Sequence, residues 1–278
     1  MQFSRIPGTN LTTSRLGLGT ASLHHLILPF ERRKWLFGAL DSGYTHFDTA
    51  RMYGEGLVER EIGKHLCGTY RKNITIATKV GLHADPFYEK HKNLMLIQRA
   101  ARKLIKPPFS FNNHVVDKDF SISRVQKSFE KSLNALRTDW VDILFVHEPE
   151  INDISALYKL SEWLLKQKEN GSARYIGIAG NSLNCVSITK EIEGAFDVLQ
   201  VEDSLDKHEA DLLISNGKKL QITYGYMRLS SEYSSVMQLP HPSGLSVVKD
   251  ALARNSDGVV LVSSRKIERL QALSRLAV

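Results

Sequence analysis

The sequence predicts that residues 1–278 form a single domain, a (β/α)8 barrel. Apolar, strand-like runs alternate with helical spacing eight times, at intervals of roughly 30 residues, which is the pattern of such a barrel. The length of 278 residues is sufficient to close one. An open doubly wound sheet is the alternative. It is expected to carry a glycine-rich dinucleotide fingerprint, and the run from Gly17 to Ser22 lacks the third glycine.

The predicted strands are short and mostly apolar. The run 141–146 is apolar at nearly every position, as expected for a strand that is buried on both faces. Strands are predicted at residues 16–20, 44–47, 74–80, 141–146, 173–179, 198–201, 220–225 and 258–263. Helices are predicted between and after them at residues 31–41, 57–66, 121–136, 153–169, 183–191, 207–215, 245–255 and 267–276.

Residues 82–120 do not fit this repeat, because they separate the third strand from the third helix. Within this insertion the spacing predicts a short helix over residues 94–105, followed by Pro107 and Pro108. An insertion after a barrel strand emerges on the C-terminal face of the barrel, so we expect a lid or a substrate wall. A surface excursion without a function is the alternative. Ser121 or Ser123 is expected to cap the helix that follows.

The bulk composition narrows the class of protein. Hydrophobic residues make up 42% of the chain, as in an ordinary soluble protein. No apolar run reaches the roughly 18–20 residues that span a membrane, and the N-terminus lacks a signal-peptide pattern. Cys67 and Cys185 have neither metal nor disulfide spacing, so we expect a reducing, cytoplasmic location.

The formal net charge of +7 raises the question of an anionic partner. The basic residues cluster mainly in residues 90–106, where no zinc-finger, RNA-recognition or basic-zipper pattern occurs. We interpret the cluster as a solvent-exposed basic face, whose positive charge can also attract an anionic cofactor. We therefore expect no nucleic-acid or membrane partner, and a monomer or a weak homo-oligomer.

Four polar residues follow or end predicted strands and so map to one face of the barrel. Asp48 and Tyr53 lie in the turn after the second strand, Lys79 ends the third and His147 ends the fourth. A phenol with a pKa of about 10 is a poor proton donor at neutral pH, and an adjacent ammonium lowers that pKa. A carboxylate keeps the ammonium charged, and a histidine can bind the substrate oxygen. Together they predict a proton donor for a carbonyl that receives a hydride.

Taken singly, each of these residues has an ordinary structural explanation. A strand-end lysine is usually a surface residue, a buried histidine is usually a satisfied core residue, and an isolated Asp and Tyr suit a polar turn. The prediction therefore depends on the coincidence of all four.

At these positions the sequence resembles the aldo-keto reductase superfamily over essentially its whole length. Residues 5–20 resemble that family's short N-terminal hairpin and first strand, residues 43–59 its signature, residues 77–80 its lysine strand and residues 141–149 its histidine strand. The resemblance implies a barrel that binds NADPH across its C-terminal face. It also implies Tyr53 as the general acid, Lys79 and Asp48 as the pair that tunes it, and His147 as the substrate-orienting group.

The resemblance also implies cofactor positions, some of which depart from the family pattern. The implied positions are Gly19, Thr20, Ala21, Asp48, Gly180, Asn181, Gln200, Tyr226, Met227, Arg228, Leu229, Ser263, Ser264, Arg265 and Arg269. Gln200 stands where the family holds the carboxamide, and Arg265 would face the 2′-phosphate, which favours NADPH over NADH. The family's Ser-Asn pair falls on Ala179 and Gly180, with Asn181 as a neighbouring substitute.

Three further departures concern the other cofactor contacts. Asp203 stands where the resemblance implies a stacking tyrosine. The pyrophosphate loop falls on residues 226–229, with Arg228 as a compensating phosphate ligand. The adenine clamp falls on Ala272 and Leu273, which cannot reproduce it.

The sequence as a whole favours an NADP-dependent reductase of aldehydes or ketones that acts on a small-molecule carbonyl substrate. The alternative is a catalytically weak, reductase-like protein that binds the cofactor or regulates a partner. The departures at Ala179, Asp203 and the adenine clamp favour that alternative, and the intact set of four polar residues argues against it.

Overall fold

An N-terminal hairpin precedes a closed barrel of eight parallel strands in the computed structural model, which describes residues 1–91, 94, 117–236 and 243–277. In chain order the strands are β1 (Phe3–Arg5), β2 (Thr12–Ser14), β3 (Leu16–Gly19), β4 (His46–Asp48), β5 (Thr75–Val80), β6 (Leu82–His83), β7 (Asp117–Lys118), β8 (Val141–His147), β9 (Ala173–Gly180), β10 (Val198–Glu202), β11 (Ile222–Tyr224) and β12 (Val259–Val262). The barrel runs through β3, β4, β5, β8, β9, β10, β11 and β12, and β12 pairs with β3 to close it. The predicted fold class is confirmed.

Helices follow the barrel strands and surround them. They are α1 (Pro29–Asp41), α2 (Leu57–Ile62), α3 (Pro86–Lys90), α4 (Ile122–Leu136), α5 (Ile154–Glu169), α6 (Ser182–Glu191), α7 (Asp211–Ser215), α8 (Tyr226–Val236), α9 (Gly244–Arg254) and α10 (Ile267–Ser274). Within the described part of the chain, none of the helices has the length and apolar character needed to cross a bilayer.

The apolar core lies in two layers that the barrel wall separates. Between the strands and the helices, one layer contains Phe47, Ile76 and Leu144. Inside the barrel, the other contains Ala77, Ile143 and Phe145, together with Ile6 and Leu11 of the hairpin. The hairpin therefore packs its apolar side chains into the interior at the N-terminal end of the barrel.

Alternation along the strands fixes which side chains reach the opposite, C-terminal end. Because successive residues of a strand face opposite sides, a residue two positions beyond an interior one also points inward. Ala77 and Phe145 are interior residues. Lys79 and His147 therefore point into the barrel at its C-terminal end.

The interior is crowded enough to require glycine at one wall position. A Cβ atom on Gly177 would lie 2.1 Å from the carbonyl oxygen of Val198 and 2.7 Å from the ring of Phe145. The fifth barrel strand can therefore pass Phe145 only where its own side chain is absent.

Several predicted helices have different bounds. The helix predicted over residues 57–66 is α-helical only to Ile62 and continues as a wider turn over Gly63–Cys67. There Gly63 lies against the backbone of Ala135 and Leu136, which a Cβ atom would meet. The helix predicted to begin at residue 207 begins at Asp211 instead. His208 has a left-handed backbone with φ of 54°, which interrupts the helical path.

Another difference lies after the seventh barrel strand, where residues 226–229 were expected to form a loop. They form the first turn of α8. An ion pair between Arg228 and Glu232, four residues apart, supports that turn.

The two ends of the insertion are joined. Strands β6 and β7 form an antiparallel pair, with Leu82 opposite Lys118. The helix predicted over residues 94–105, with Pro107 and Pro108, lies outside the described residues. Ser121 takes the position before α4, but its hydroxyl does not cap the helix; its own N–H donates to Asp119 at 2.7 Å. The prediction of a serine side-chain cap is therefore wrong.

Candidate active site

Three barrel strands and one loop bring the four predicted polar residues together at the C-terminal end. Asp48 is the last residue of β4, Lys79 lies next to the end of β5, and His147 is the last residue of β8. Tyr53 lies in the loop that follows β4. The aromatic rings of Tyr53 and His147 meet edge to face, with their centroids 6.1 Å apart.

Lys79 is the centre of this group. Its Nζ atom donates to Oδ1 of Asp48 at 2.6 Å, to the carbonyl oxygen of Thr49 at 3.0 Å and to the hydroxyl of Tyr53 at 3.4 Å. Only 1% of Lys79 is exposed, so the ammonium is held by these oxygens instead of water. These contacts orient the Lys79 ammonium toward the hydroxyl of Tyr53, whose pKa it lowers.

A sharp backbone turn places Tyr53 over Lys79. Gly54, Glu55 and Gly56 all have positive φ angles, of 57°, 54° and 76°. Glycine adopts this left-handed conformation readily, so two of the three positions carry little strain. The Gly54/Gly56 pair thus reverses the chain within the predicted turn, and Leu57 begins the next helix.

Burial dominates the acid–base properties of the site. It raises the pKa of Tyr53 more than the neighbouring Lys79 ammonium lowers it. Lys79 therefore lowers this pKa as predicted, but burial outweighs the ammonium and the net pKa is raised. Burial lowers the pKa of Lys79, but Asp48 and Tyr53 outweigh it and the net pKa is raised. Burial and the charge of Lys79 hold the pKa of His147 well below its usual range.

These shifts define the protonation states at neutral pH. Tyr53 keeps its proton, Lys79 keeps its charge, and His147 is neutral. The site therefore contains a phenol that can give up a proton and an imidazole that can form a hydrogen bond without adding charge.

A second group of polar side chains, linked by hydrogen bonds and ion pairs, supports the loop that carries Tyr53. Arg51 pairs with the buried carboxylate of Glu59 at 3.1 Å, and Glu59 accepts a hydrogen bond from Thr78 at 2.7 Å. Arg51 also donates through Nε to Glu89 of α3 at 3.0 Å. Glu89 lies at the start of the insertion, and Thr78 directly precedes Lys79 in β5. This group of side chains therefore connects the insertion with the loop of Tyr53 and with the strand of Lys79.

The four residues line a cavity of about 310 Å³. Besides Tyr53, Lys79 and His147, its wall contains seven of the predicted cofactor positions, namely Gly19, Ala21, Asp48, Gln200, Met227, Arg228 and Ser263. It also contains Ala179, one of the departures from the family pattern. The side chain of Gln200 is buried, and its Oε1 atom has no hydrogen-bond partner within the described residues. An unpartnered amide oxygen in a cavity wall is suited to a ligand that donates a hydrogen bond.

Several predicted cofactor positions do not line this cavity. Thr20 is buried and donates to the carbonyl oxygen of Asp48 at 2.8 Å. Asn181 caps α6, where its Oδ1 accepts from the N–H of Asn184 at 2.8 Å. The other predicted positions that do not line this cavity are Gly180, Tyr226, Leu229, Ser264, Arg265 and Arg269. The Oδ1 atom of Asn181 therefore serves its own helix, and a role of Asn181 toward a cofactor stays a prediction.

Asp203 is held by several hydrogen bonds. Its carboxylate is fully buried and accepts hydrogen bonds from the hydroxyl of Tyr226 at 2.6 Å, from Nε of Arg254 at 2.6 Å and from the N–H of Ala210 at 3.0 Å. Asp203 does not line the cavity, and its correspondence to the family's stacking tyrosine stays a prediction. Besides the rings of Tyr53 and His147, the wall of the cavity contains the ring of Tyr224, the last residue of β11.

Arg228 lines the cavity but is already paired. Its guanidinium contacts Glu202 at the end of β10 and lies 3.0 Å from Glu232 on its own helix. An arginine held by two carboxylates is a weaker anion ligand than a free one, because binding a phosphate requires one of these pairs to open.

A second cavity of about 590 Å³ continues past Met227, which lines both. Its wall includes Arg269, Ala272 and Leu273 of α10. Arg265 lies nearby on the exposed loop between β12 and α10, and the described residues offer its guanidinium neither an ion pair nor a hydrogen bond. We call these two cavities, which share Met227 in their walls, the elongated site.

A family model for the aldo/keto reductase family matches residues 15–213. The chain belongs to the aldo/keto reductase family. It is 28% identical over 192 residues to L-galactose dehydrogenase of Arabidopsis thaliana, covering 66% of this chain and 50% of that protein. The chain spans about half the length of the curated relatives that it matches.

Solved structures of aldo-keto reductases share the fold. One from Bacillus halodurans in its holo form matches with a TM-score of 0.71 and 19% identity, covering 99% of this chain and 90% of that one. One from Klebsiella pneumoniae in complex with NADPH matches with a TM-score of 0.67 and 15% identity, covering 100% of this chain and 90% of that one.

Sequence reasoning missed five residues in the wall of this aldo-keto reductase cavity. They are Glu148, Tyr224, Gly225, Leu261 and Val262. Tyr224 and Leu261 lie two positions beyond the interior residues Ile222 and Val259, so strand alternation was a usable signal for both. Glu148 directly follows His147, and its position beyond the strand end was the available signal.

Proposed function

We propose that this protein is an NADP-dependent carbonyl reductase in which Tyr53 donates the proton. The observation that carries the proposal is the position of the Lys79 ammonium between Asp48 and the hydroxyl of Tyr53, at 2.6 Å and 3.4 Å. This arrangement opens into a cavity with room for a small substrate. Similarity to relatives named as dehydrogenases supports the same reaction class.

The residues present fit a nicotinamide cofactor. The unpartnered Oε1 atom of Gln200 would accept a hydrogen bond from the carboxamide, and the ring of Tyr224 offers an aromatic surface in the same wall. Gly19, Ala21 and Ser263 would border the ribose side. When bound, NADPH supplies the hydride that the carbonyl carbon receives.

The other end of the elongated site fits a phosphorylated adenosine. Ser263 and Ser264 directly follow the last barrel strand, and the exposed Arg265 comes next. Arg265 would pair with the 2′-phosphate, which favours NADPH over NADH. Ala272 and Leu273 form an apolar surface for the adenine in place of the expected polar clamp.

The residues of this chain divide the remaining work. His147 is neutral and would bind the carbonyl oxygen, which aligns it with the hydroxyl of Tyr53. As negative charge develops on that oxygen, Tyr53 gives up its proton, and Lys79 stabilises the resulting phenolate. Asp48 keeps the buried Lys79 oriented and charged.

A catalytically weak, cofactor-binding protein is the second candidate. The observation that favours it is the pairing of Arg228 with Glu202 and Glu232, which reduces the free positive charge available to a pyrophosphate. Under this alternative NADPH binds, but carbonyl reduction stays close to background.

Two measurements on the same protein separate the candidates. Fluorescence titration gives the Kd for NADPH, and steady-state assays with a panel of aldehydes give kcat, both for the parent and for Tyr53→Phe. We expect the parent to bind and turn over, and Tyr53→Phe to bind equally well but to lose roughly 100-fold or more in kcat. Binding without turnover by the parent would favour the second candidate. Near-normal turnover by Tyr53→Phe would remove Tyr53 as the proton donor.

A further inference from the structure

Glu148 occupies an unusual backbone conformation at the mouth of the cavity. Its φ angle is 48°, in the left-handed region that residues with a side chain rarely adopt. Two neighbours hold it there: its N–H donates to the carbonyl oxygen of Ala179 at 2.7 Å, and the buried Pro149 follows. A strained residue that persists beside a reactive group is a candidate for function, because a glycine would satisfy the same turn without strain.

The carboxylate of Glu148 differs from the other charges around the cavity in having no partner. Lys79 and Asp48 neutralise each other, and Arg228 is held by Glu202 and Glu232. Within the described residues, no cation or hydrogen-bond donor contacts the side chain of Glu148, which is exposed. Its negative charge reaches the reacting group, since it contributes to raising the pKa of Tyr53 and that of Tyr224. The cavity therefore presents one free carboxylate next to His147.

A free carboxylate in this position selects substrates by charge and by hydrogen-bonding groups. An anionic substrate would bring a second negative charge beside it without a compensating cation, which is unfavourable in a partly desolvated site. A hydroxyl group can donate a hydrogen bond to it, and such charge-assisted bonds are stronger than neutral ones. An ammonium group can also donate, but it carries three donors, and the rest of this wall is apolar at Ala179 and Leu261.

We propose that Glu148 is a specificity residue that selects neutral carbonyl compounds bearing a hydroxyl group close to the carbonyl, by accepting a hydrogen bond from that hydroxyl. This proposal rests on the proposed carbonyl reductase activity and names the substrate class of the same site.

Four small aldehydes test the proposal with the full-length parent and Glu148→Gln. Glyceraldehyde carries hydroxyl groups, propanal has the same carbon skeleton without them, succinic semialdehyde is anionic and 3-aminopropanal is cationic. Glu148→Gln keeps the size of the side chain and removes only its charge. Glu150→Gln is the matched control, because Glu150 loses the same charge two residues further on, where it contacts Lys118 outside the cavity.

We expect the parent to prefer glyceraldehyde to propanal by about tenfold in kcat/KM. Glu148→Gln should raise KM for glyceraldehyde about tenfold, leave KM for propanal unchanged and lower KM for succinic semialdehyde about tenfold. A change in kcat that arises through the pKa of Tyr53 would be shared by all four substrates. Glu150→Gln should alter none of the four substrates. This split in KM between substrates supports the proposal, because a purely structural effect would change KM for all four together.

Other outcomes overturn it in distinguishable ways. If the parent reduces propanal and glyceraldehyde equally, or Glu148→Gln changes KM for all four substrates alike, Glu148 does not read the hydroxyl and the reductase activity still stands. If 3-aminopropanal is the preferred substrate and loses most in the variant, the recognised group is an ammonium. If the parent reduces none of the aldehydes, this proposal and the proposed function fail together.

Discussion

The Nζ atom of Lys79 lies 2.6 Å from Oδ1 of Asp48, and both side chains are almost completely buried. A buried ion pair is strongly coupled, because removal of one partner leaves the other as an unpaired charge in a medium of low dielectric. In this protein the pair also faces the hydroxyl of Tyr53. A change at Lys79 therefore affects stability and chemistry, and an experiment must separate the two.

We predict that Lys79→Met lowers kcat by roughly 100- to 10,000-fold, in line with the loss of a tuned general acid. Without the ammonium, the pKa of Tyr53 rises above its already raised value, so the phenol becomes a weaker acid. Because reduction needs the protonated phenol, the alkaline limb of the pH profile of any residual activity should move to higher pH. The measurement is kcat as a function of pH.

The double variant Asp48→Asn/Lys79→Met is the control for stability. It removes both charges, so no unpaired carboxylate remains buried, and it should unfold at a higher denaturant concentration than Lys79→Met alone. Its activity should remain as low as that of the single variant. Recovery of activity in the double variant would mean that Lys79 contributes only to folding.

Much of this site follows from residues that are local to a strand. Lys79 and His147 end apolar runs whose alternation is readable from the sequence, and the closed barrel brings those ends to one face. The turn at Gly54 and Gly56 is likewise a local signal. The positions of the Tyr53 loop and of the Lys79 strand could therefore be predicted from the sequence alone.

Other residues depend on contacts that are distant in sequence. Asp203 is fixed by Arg254, which is 51 residues away, and no local pattern reveals that partnership. Tyr226, in the first turn of α8, donates a hydrogen bond to the same Asp203. The sequence predicted that Lys79 lowers the pKa of Tyr53, but it did not predict that burial outweighs this effect, because the extent of burial depends on packing that sequence spacing does not give.

A fully buried histidine below the site predicts a pH dependence of stability. His46 lies inside the barrel, where its Nδ1 atom is 2.8 Å from Oγ1 of Thr75, and its Nε2 atom has no partner within the described residues. Burial lowers the pKa of His46 to about 4, because it outweighs the charge of Asp48, which raises this pKa; the charge of Lys79 makes a smaller lowering contribution. His46 therefore binds a proton near pH 6.5 in the unfolded chain, but only near pH 4 in the folded chain.

The sign follows directly: between about pH 6.5 and pH 4 the unfolded state binds more protons, so stability falls as the pH falls. We predict that lowering the pH from 7 to 5 costs the parent about 2 kcal/mol through His46 alone. His46→Leu should lack that loss, since Thr75 keeps a hydrogen bond to Thr13 at 3.0 Å. The measurement is urea unfolding of both proteins at the two pH values. An equal loss in parent and variant would assign the acid sensitivity to other groups, among which His147 has a lowered pKa as well.

The choice of cofactor depends on a guanidinium at the far end of the elongated site. NADPH differs from NADH by one 2′-phosphate, which carries close to two negative charges. Arg265 is exposed between β12 and α10, and the described residues leave its guanidinium without a partner. Ser263 and Ser264 precede it, and Arg269 lies one helical turn further on in the wall of the second cavity. These groups can converge on one phosphate.

We therefore predict that Arg265→Ala weakens NADPH binding roughly 10- to 100-fold, because a charge-assisted hydrogen bond contributes about 1.5–3 kcal/mol. NADH lacks the phosphate, so its Kd should change little. The matched control is Arg60→Ala, which removes the same charge from the exposed face of α2 and should leave both cofactors unaffected. The measurement is the Kd of each cofactor for the parent and the two variants, at one ionic strength because salt screens exposed charges. Equal weakening of both cofactors by Arg265→Ala would mean that Arg265 supports the loop without reading the phosphate. Tighter binding of NADH than of NADPH by the parent would contradict the proposed cofactor itself.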